Sequence, residues 1–181
     1  MPRITLPTFS SMNENQRRIY DEIIMGRRGH IPLPLQVWLH SPELAGRAQK
    51  LGEFVRYETS LPARLSELAI LVLARYWTAQ YEWDIHKGEA LKAGLDPTII
   101  DAIAAHQQPH FALSDEQVVY DFAVALNENH HVPDDIYHMA VETLSEQGVV
   151  ELVGLLGYYT LISMTLNVFE IDALEQEQSA Q

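Results

Sequence analysis

Glu67, Glu82 and His86 are the residues of this chain whose types and spacing could move a proton. Glu82 and His86 lie four positions apart, and on a helix that spacing puts both on one face. Glu67 stands at the start of an apolar run through Leu68, Ile70, Leu71, Leu73 and Ala74. Tyr81, Glu82 and Trp83 form an aromatic and acidic cluster just before His86. A carboxylate brought near an imidazole in partly apolar surroundings is suited to proton transfer. The same spacing on a solvated helix face is a structural pair contributing only about 0.2–0.5 kcal/mol.

The elements that must position these groups read as helices throughout. Residues 1–12 form an irregular arm with Pro2 and Pro7. Asn13 caps a helix over Glu14–Met25, ended by Gly26 and Gly29. Ile31-Pro32-Leu33-Pro34 is expected to be extended, because a residue before proline is pushed away from helix. A short turn follows over Leu35–Leu39. Ser41-Pro42-Glu43 starts a helix to about Glu58, with a cap, a first-turn proline and an acid in order.

Pro62 restarts the chain into the helix that carries Glu67 and ends near Trp77. Thr78 is the expected cap of the next helix, Ala79–Ala93, with Gly94 as its stop. Asp96-Pro97 opens a short helix to Ala105, and residues 106–113 are a loop. Ser114 with Gln117 reads as a capping box for a helix to Asn129. A further helix spans Asp134–Leu144, and Ser145 caps the last one. No segment has strand period with hairpin punctuation. The expectation is all-α, with about seven to eight helices.

At 181 residues the chain is long enough for a single domain, 1–181, with its own core, and residues 172–181 are expected to be a solvated tail. It has no cysteine, which removes disulfides, thiolate metal sites and any catalytic thiol. Its net charge of −13 argues against nucleic acid, whose phosphates need a basic surface. The N-terminus has no apolar run suited to a signal peptide, so a cytoplasmic location is expected. The last helix is nearly long enough to span a bilayer. Glu151, Tyr158, Tyr159, Thr160, Ser163, Thr165 and Asn167 make it too polar, and no basic flank anchors it. It is expected to be a buried helix or a subunit interface rather than a membrane span.

The stretch around Glu67 and His86 resembles the core motif of the carboxymuconolactone decarboxylase family, which includes the alkyl hydroperoxidase D-like proteins. That pattern is a Glu, a C-x-x-C pair beginning twelve residues later, and a His four beyond the second Cys. Glu67 and His86 match its Glu and His, while Ala79 and Glu82 fall on the cysteines. Tyr81-Glu82-Trp83 followed by His86 is similar to the cysteine-free branch. The resemblance runs from about Leu39 to Leu126 and implies an alkyl hydroperoxidase D-like helical bundle that forms a homotrimer or homohexamer. Thiol peroxidase chemistry is closed to a chain without sulfur nucleophiles.

The namesake reaction removes CO2 from a carboxylated unsaturated lactone. It needs a proton donor and a conjugated carbonyl to take up the electrons. His86 is the best acid, since an imidazole titrates near neutrality, with Glu67 orienting it or sharing its proton. Tyr81, Glu82 and Trp83 would shape the substrate pocket. Arg64, Arg75 or Arg56 could fork onto a carboxylate. Glu82 facing that pocket would repel an anion unless protonated.

A metal held by Glu67, Glu82 and His86 is disfavoured, because di-metal bundles supply an E-x-x-H pair from each of two helices, whereas the spacing here is i,i+4 and no second such pair appears. His130, His131 and His138 read as surface residues. The reading is therefore a cofactor-independent, metal-free acid–base lyase or decarboxylase acting on a small organic acid or lactone. The alternative is a thiol-free relative with an accessory antioxidant or non-catalytic oligomeric role, in which the Glu–His pair serves assembly.

Overall fold

The computed structural model describes residues 2–171. The expected tail over 172–181 lies outside the described residues. Among them the chain forms eight helices and no strand. These are α1 (Glu14–Met25), α2 (Leu33–Trp38), α3 (Pro42–Tyr57), α4 (Ala63–Tyr76), α5 (Gln80–Lys92), α6 (Pro97–Ala104), α7 (Ser114–Asn129) and α8 (Asp134–Phe169). They fall into two compact units. One comprises the chain up to Glu58 and the chain from Met164; the other is Thr59–Ser163.

In the first unit α3 packs against α1 and α2. Asn13 caps α1 in a full capping box, taking the Gln16 N–H while the Gln16 side chain accepts from the Asn13 N–H. Trp38 Nε1 donates to Thr165 Oγ1 at 2.9 Å. The structure differs from expectation at Leu33 and Pro34, which lie inside α2 rather than in an extended segment. Pro34 occupies the first turn, where backbone N–H groups have no helical partner to lose, so a proline there is tolerated.

The second unit is built on α4, which packs against α5, α6 and α7. Every residue from Leu65 to Ala74 is buried, so this helix is a core element on all sides. Its end is closed by Thr78, which adopts a left-handed backbone (φ 50) while the Ala79 N–H bonds to the Ala74 carbonyl at 2.9 Å. Thr78 is therefore the residue that terminates α4 and not the expected cap of α5; Ala79 occupies that position without a side-chain cap bond. Gly94 ends α5 as expected, with a positive φ of 89 that suits glycine. Ser114 is the first residue of α7 rather than its cap, and Gln117 bonds to Asp121 at 2.9 Å instead of reaching back.

Along α8 the backbone leaves helical geometry at Ser145 (φ 67, ψ 167), where the sequence placed a helix boundary. The Gly148 N–H approaches Ser145 Oγ at 3.4 Å, a cap-like contact at the start of the second segment. The helix holds an 18-residue window of mean hydropathy 1.6, yet 61% of that window is buried within the fold, as in a core helix.

Candidate functional site

α4 and α5 bring Glu67, Glu82 and His86 together within the second unit. The turn at Thr78 reverses the chain so that α5 packs along α4. His86 Nδ1 then meets Glu67 Oε2 at 2.6 Å. On the other side of the ring, His86 Nε2 lies 3.2 Å from Glu82 Oε2, one helical turn back along α5. All three side chains are buried, His86 to 1% residual exposure. The edge of the stack is closed by Tyr159 of α8, whose ring meets the imidazole edge-to-face at 5.0 Å and 89°. Tyr158 in turn meets Tyr159 at 5.5 Å.

An imidazole with a carboxylate acceptor on each nitrogen is set up to donate from both. Burial opposes the charged ring, but the hydrogen bonds and charges of Glu67 and Glu82 outweigh it and raise the His86 pKa above its ordinary value. The arrangement is a buried imidazole bridging two carboxylates. Because Glu67 and Glu82 engage opposite ring nitrogens, the three groups do not converge on one point as metal ligands would.

The other sequence candidates are placed differently. Tyr81 and Trp83 are buried on α5 beside Glu82. Arg64 turns its guanidinium to α7, where it pairs with Asp115 at 2.7 Å and with the buried Glu116. Arg75, at the far end of α4, lines a separate cleft whose walls include none of Glu67, Glu82 and His86. Arg56 lies in the other unit, its guanidinium over the Tyr57 ring. His130, His131 and His138 are exposed.

Sequence reasoning missed Tyr159. The available signal was a Tyr pair inside an otherwise aliphatic helix, a position where a phenol is kept when it has a specific contact. It also missed the Ser60 tie, in which both the backbone N–H (2.7 Å) and the hydroxyl (2.6 Å) donate to Glu151 Oε2.

Residues 42–125 match the model of the carboxymuconolactone decarboxylase family. No curated protein matches the chain. A solved structure of similar fold is the debrominase Bmp8, crystallised as a cysteine-to-alanine variant in complex with 2,3,4-tribromopyrrole. It aligns with a TM-score of 0.71 at 15% identity, over 98% of this chain and 95% of that one. This likeness identifies the fold.

Proposed function

We propose that the chain, whose residues 42–125 match the carboxymuconolactone decarboxylase family model, is a member of that family and a cofactor-independent acid–base lyase acting on a small organic acid or lactone. The observation that carries the reading is His86 clasped between Glu67 and Glu82 at 2.6 and 3.2 Å in a buried site. Glu67 holds the ring in orientation through the shorter contact. Glu82 occupies the longer one, so it is the group that yields when a proton leaves Nε2 for substrate.

In a decarboxylation the bond from ring carbon to carboxylate breaks and CO2 departs. The electron pair passes into the conjugated carbonyl, and a proton from the Glu82–His86 pair then closes the new C–H bond. Solvent restores that proton. Buried surroundings favour loss of the carboxylate charge. The debrominase of similar fold binds a small conjugated ring, which fits a substrate of that shape here. This chain has no cysteine, so a route through a protein thiol is closed to it.

The test is CO2 release from a panel of carboxylated unsaturated lactones and related conjugated acids. His86→Gln is expected to lower the rate at least 10²-fold, as loss of a general acid does. Glu82→Gln is expected to lower it as well, with circular dichroism unchanged. A rate in His86→Gln within threefold of the parent protein would sink the relay.

A second reading, self-association into a homotrimer or homohexamer in the cytoplasm, has its own observation. Val150, Val153 and Leu161 of α8 are exposed by 71%, 47% and 36%, at spacings that keep them on one side of the helix. An apolar stripe of this kind marks a contact surface.

A further inference from the structure

The geometry points to a second ligand site, at the C-terminal end of α4, that binds a small organic monocarboxylate on Arg75. The cleft there has a volume of about 170 Å³ and lies between α4, the end of α6 with the segment after it, and α7. Val72, Ile103 and Val124 give it an apolar wall, and Arg75, Tyr120 and Glu128 give it a polar one.

Arg75 stands out among the arginines of this unit. Arg64 already holds two carboxylates, whereas among the described residues Arg75 has no ion pair and its buried Nε has no acceptor. A buried N–H without an acceptor is costly, and a carboxylate entering from the cleft supplies two. Tyr120 provides a further donor. Burial and the carboxylates of Asp121 and Glu128 push its phenol up, so the hydroxyl keeps its proton.

Size and charge narrow the ligand. Drug-sized molecules occupy pockets of about 300–1,000 Å³, so this cleft suits a single ring or short chain. The apolar wall disfavours a bare inorganic anion. Glu128 faces the same space and Asp121 is close to Tyr120, so a second negative charge on the ligand would be repelled. The site is also distinct from the proton relay. Arg75 lies eight residues along α4 from Glu67, about 12 Å at the rise of a helix.

The experiment is an NMR titration of the full ¹⁵N-labelled chain with sodium benzoate, with benzamide as its neutral counterpart. Saturable shifts centred on the Arg75 Nε–H and the backbone of Ile103 and Val124 are expected, with benzamide at least tenfold weaker. Arg75→Gln should weaken benzoate at least tenfold, and Glu128→Gln should bind it as tightly or more so. His86→Gln should leave benzoate affinity unchanged, which separates this site from the relay. Absence of saturation, equal binding of benzamide, or shifts centred on His86 would overturn the assignment. The comparison of the two ligands on the unaltered protein decides the matter even if Arg75→Gln does not fold.

Discussion

At His86, burial works against the charged imidazole and two carboxylates work for it, with the carboxylates prevailing. The folded state therefore holds its proton more tightly than the unfolded chain does. Linkage then fixes the sign of the pH dependence: the contribution is complete below the ordinary value of 6.5 and is lost as pH rises through the raised folded value. The unaltered protein should exceed His86→Gln in stability by about 1–3 kcal/mol near neutrality, the cost of leaving buried acceptors unmet. That margin should shrink as pH rises above 6.5 through the raised folded value, read from urea midpoints of both proteins. A margin that grows with pH would contradict the clasped-imidazole account. The residue types and the Glu82–His86 spacing were legible in the sequence. The Glu67 contact rested on family resemblance, because it joins groups nineteen residues apart in sequence.

At the scale of elements, helix boundaries followed local chemistry where one residue decides them, as with Asn13, Asp96 and Gly94. They departed where packing decides, as at Thr78 and Ser114. Ser145 carries the clearest cost. Its backbone (φ 67, ψ 167) lies in a region that residues with a Cβ avoid, at about 1–3 kcal/mol. Glycine relieves that strain, loses only a few tenths of a kcal/mol as a cap, and gives back part of the gain as chain entropy. Ser145→Gly is thus expected to stabilise the protein by about 1 kcal/mol, raising Tm by about 2–4 °C. Ser145→Ala, which keeps the strain and removes the hydroxyl, should lower it. Calorimetry of the two variants checks the order, and a lower Tm for Ser145→Gly would mean that the hydroxyl contact outweighs the backbone strain.

At the scale of the whole molecule, a net charge of −13 would keep copies apart, while the contact proposed for the α8 stripe would draw them together. Self-association should therefore strengthen with salt, which screens the repulsion but not the apolar contact. Val150→Glu places a charge on the most exposed residue of the stripe and is expected to weaken association at least tenfold, since fully burying such a side chain is worth about 1.5–3 kcal/mol. Sedimentation equilibrium at low and high NaCl reads both effects. A parent chain that stays monomeric at high concentration and high salt would remove the oligomer reading.

The sequence by itself determined the all-α class, most helix spans and the placing of Glu82 and His86 on one helix face. Those features depend on caps, periodicity and side-chain types that act within a turn or two of chain. Tertiary structure decided which groups meet. The left-handed turn at Thr78 sets α5 along α4 and delivers His86 to Glu67. Packing of α8 brings Tyr159 to the same ring. The position of α7 gives Arg64 two carboxylates and leaves Arg75 facing a cleft. Such contacts depend on how helices cross and where each one stops, and no local pattern of residues encodes either.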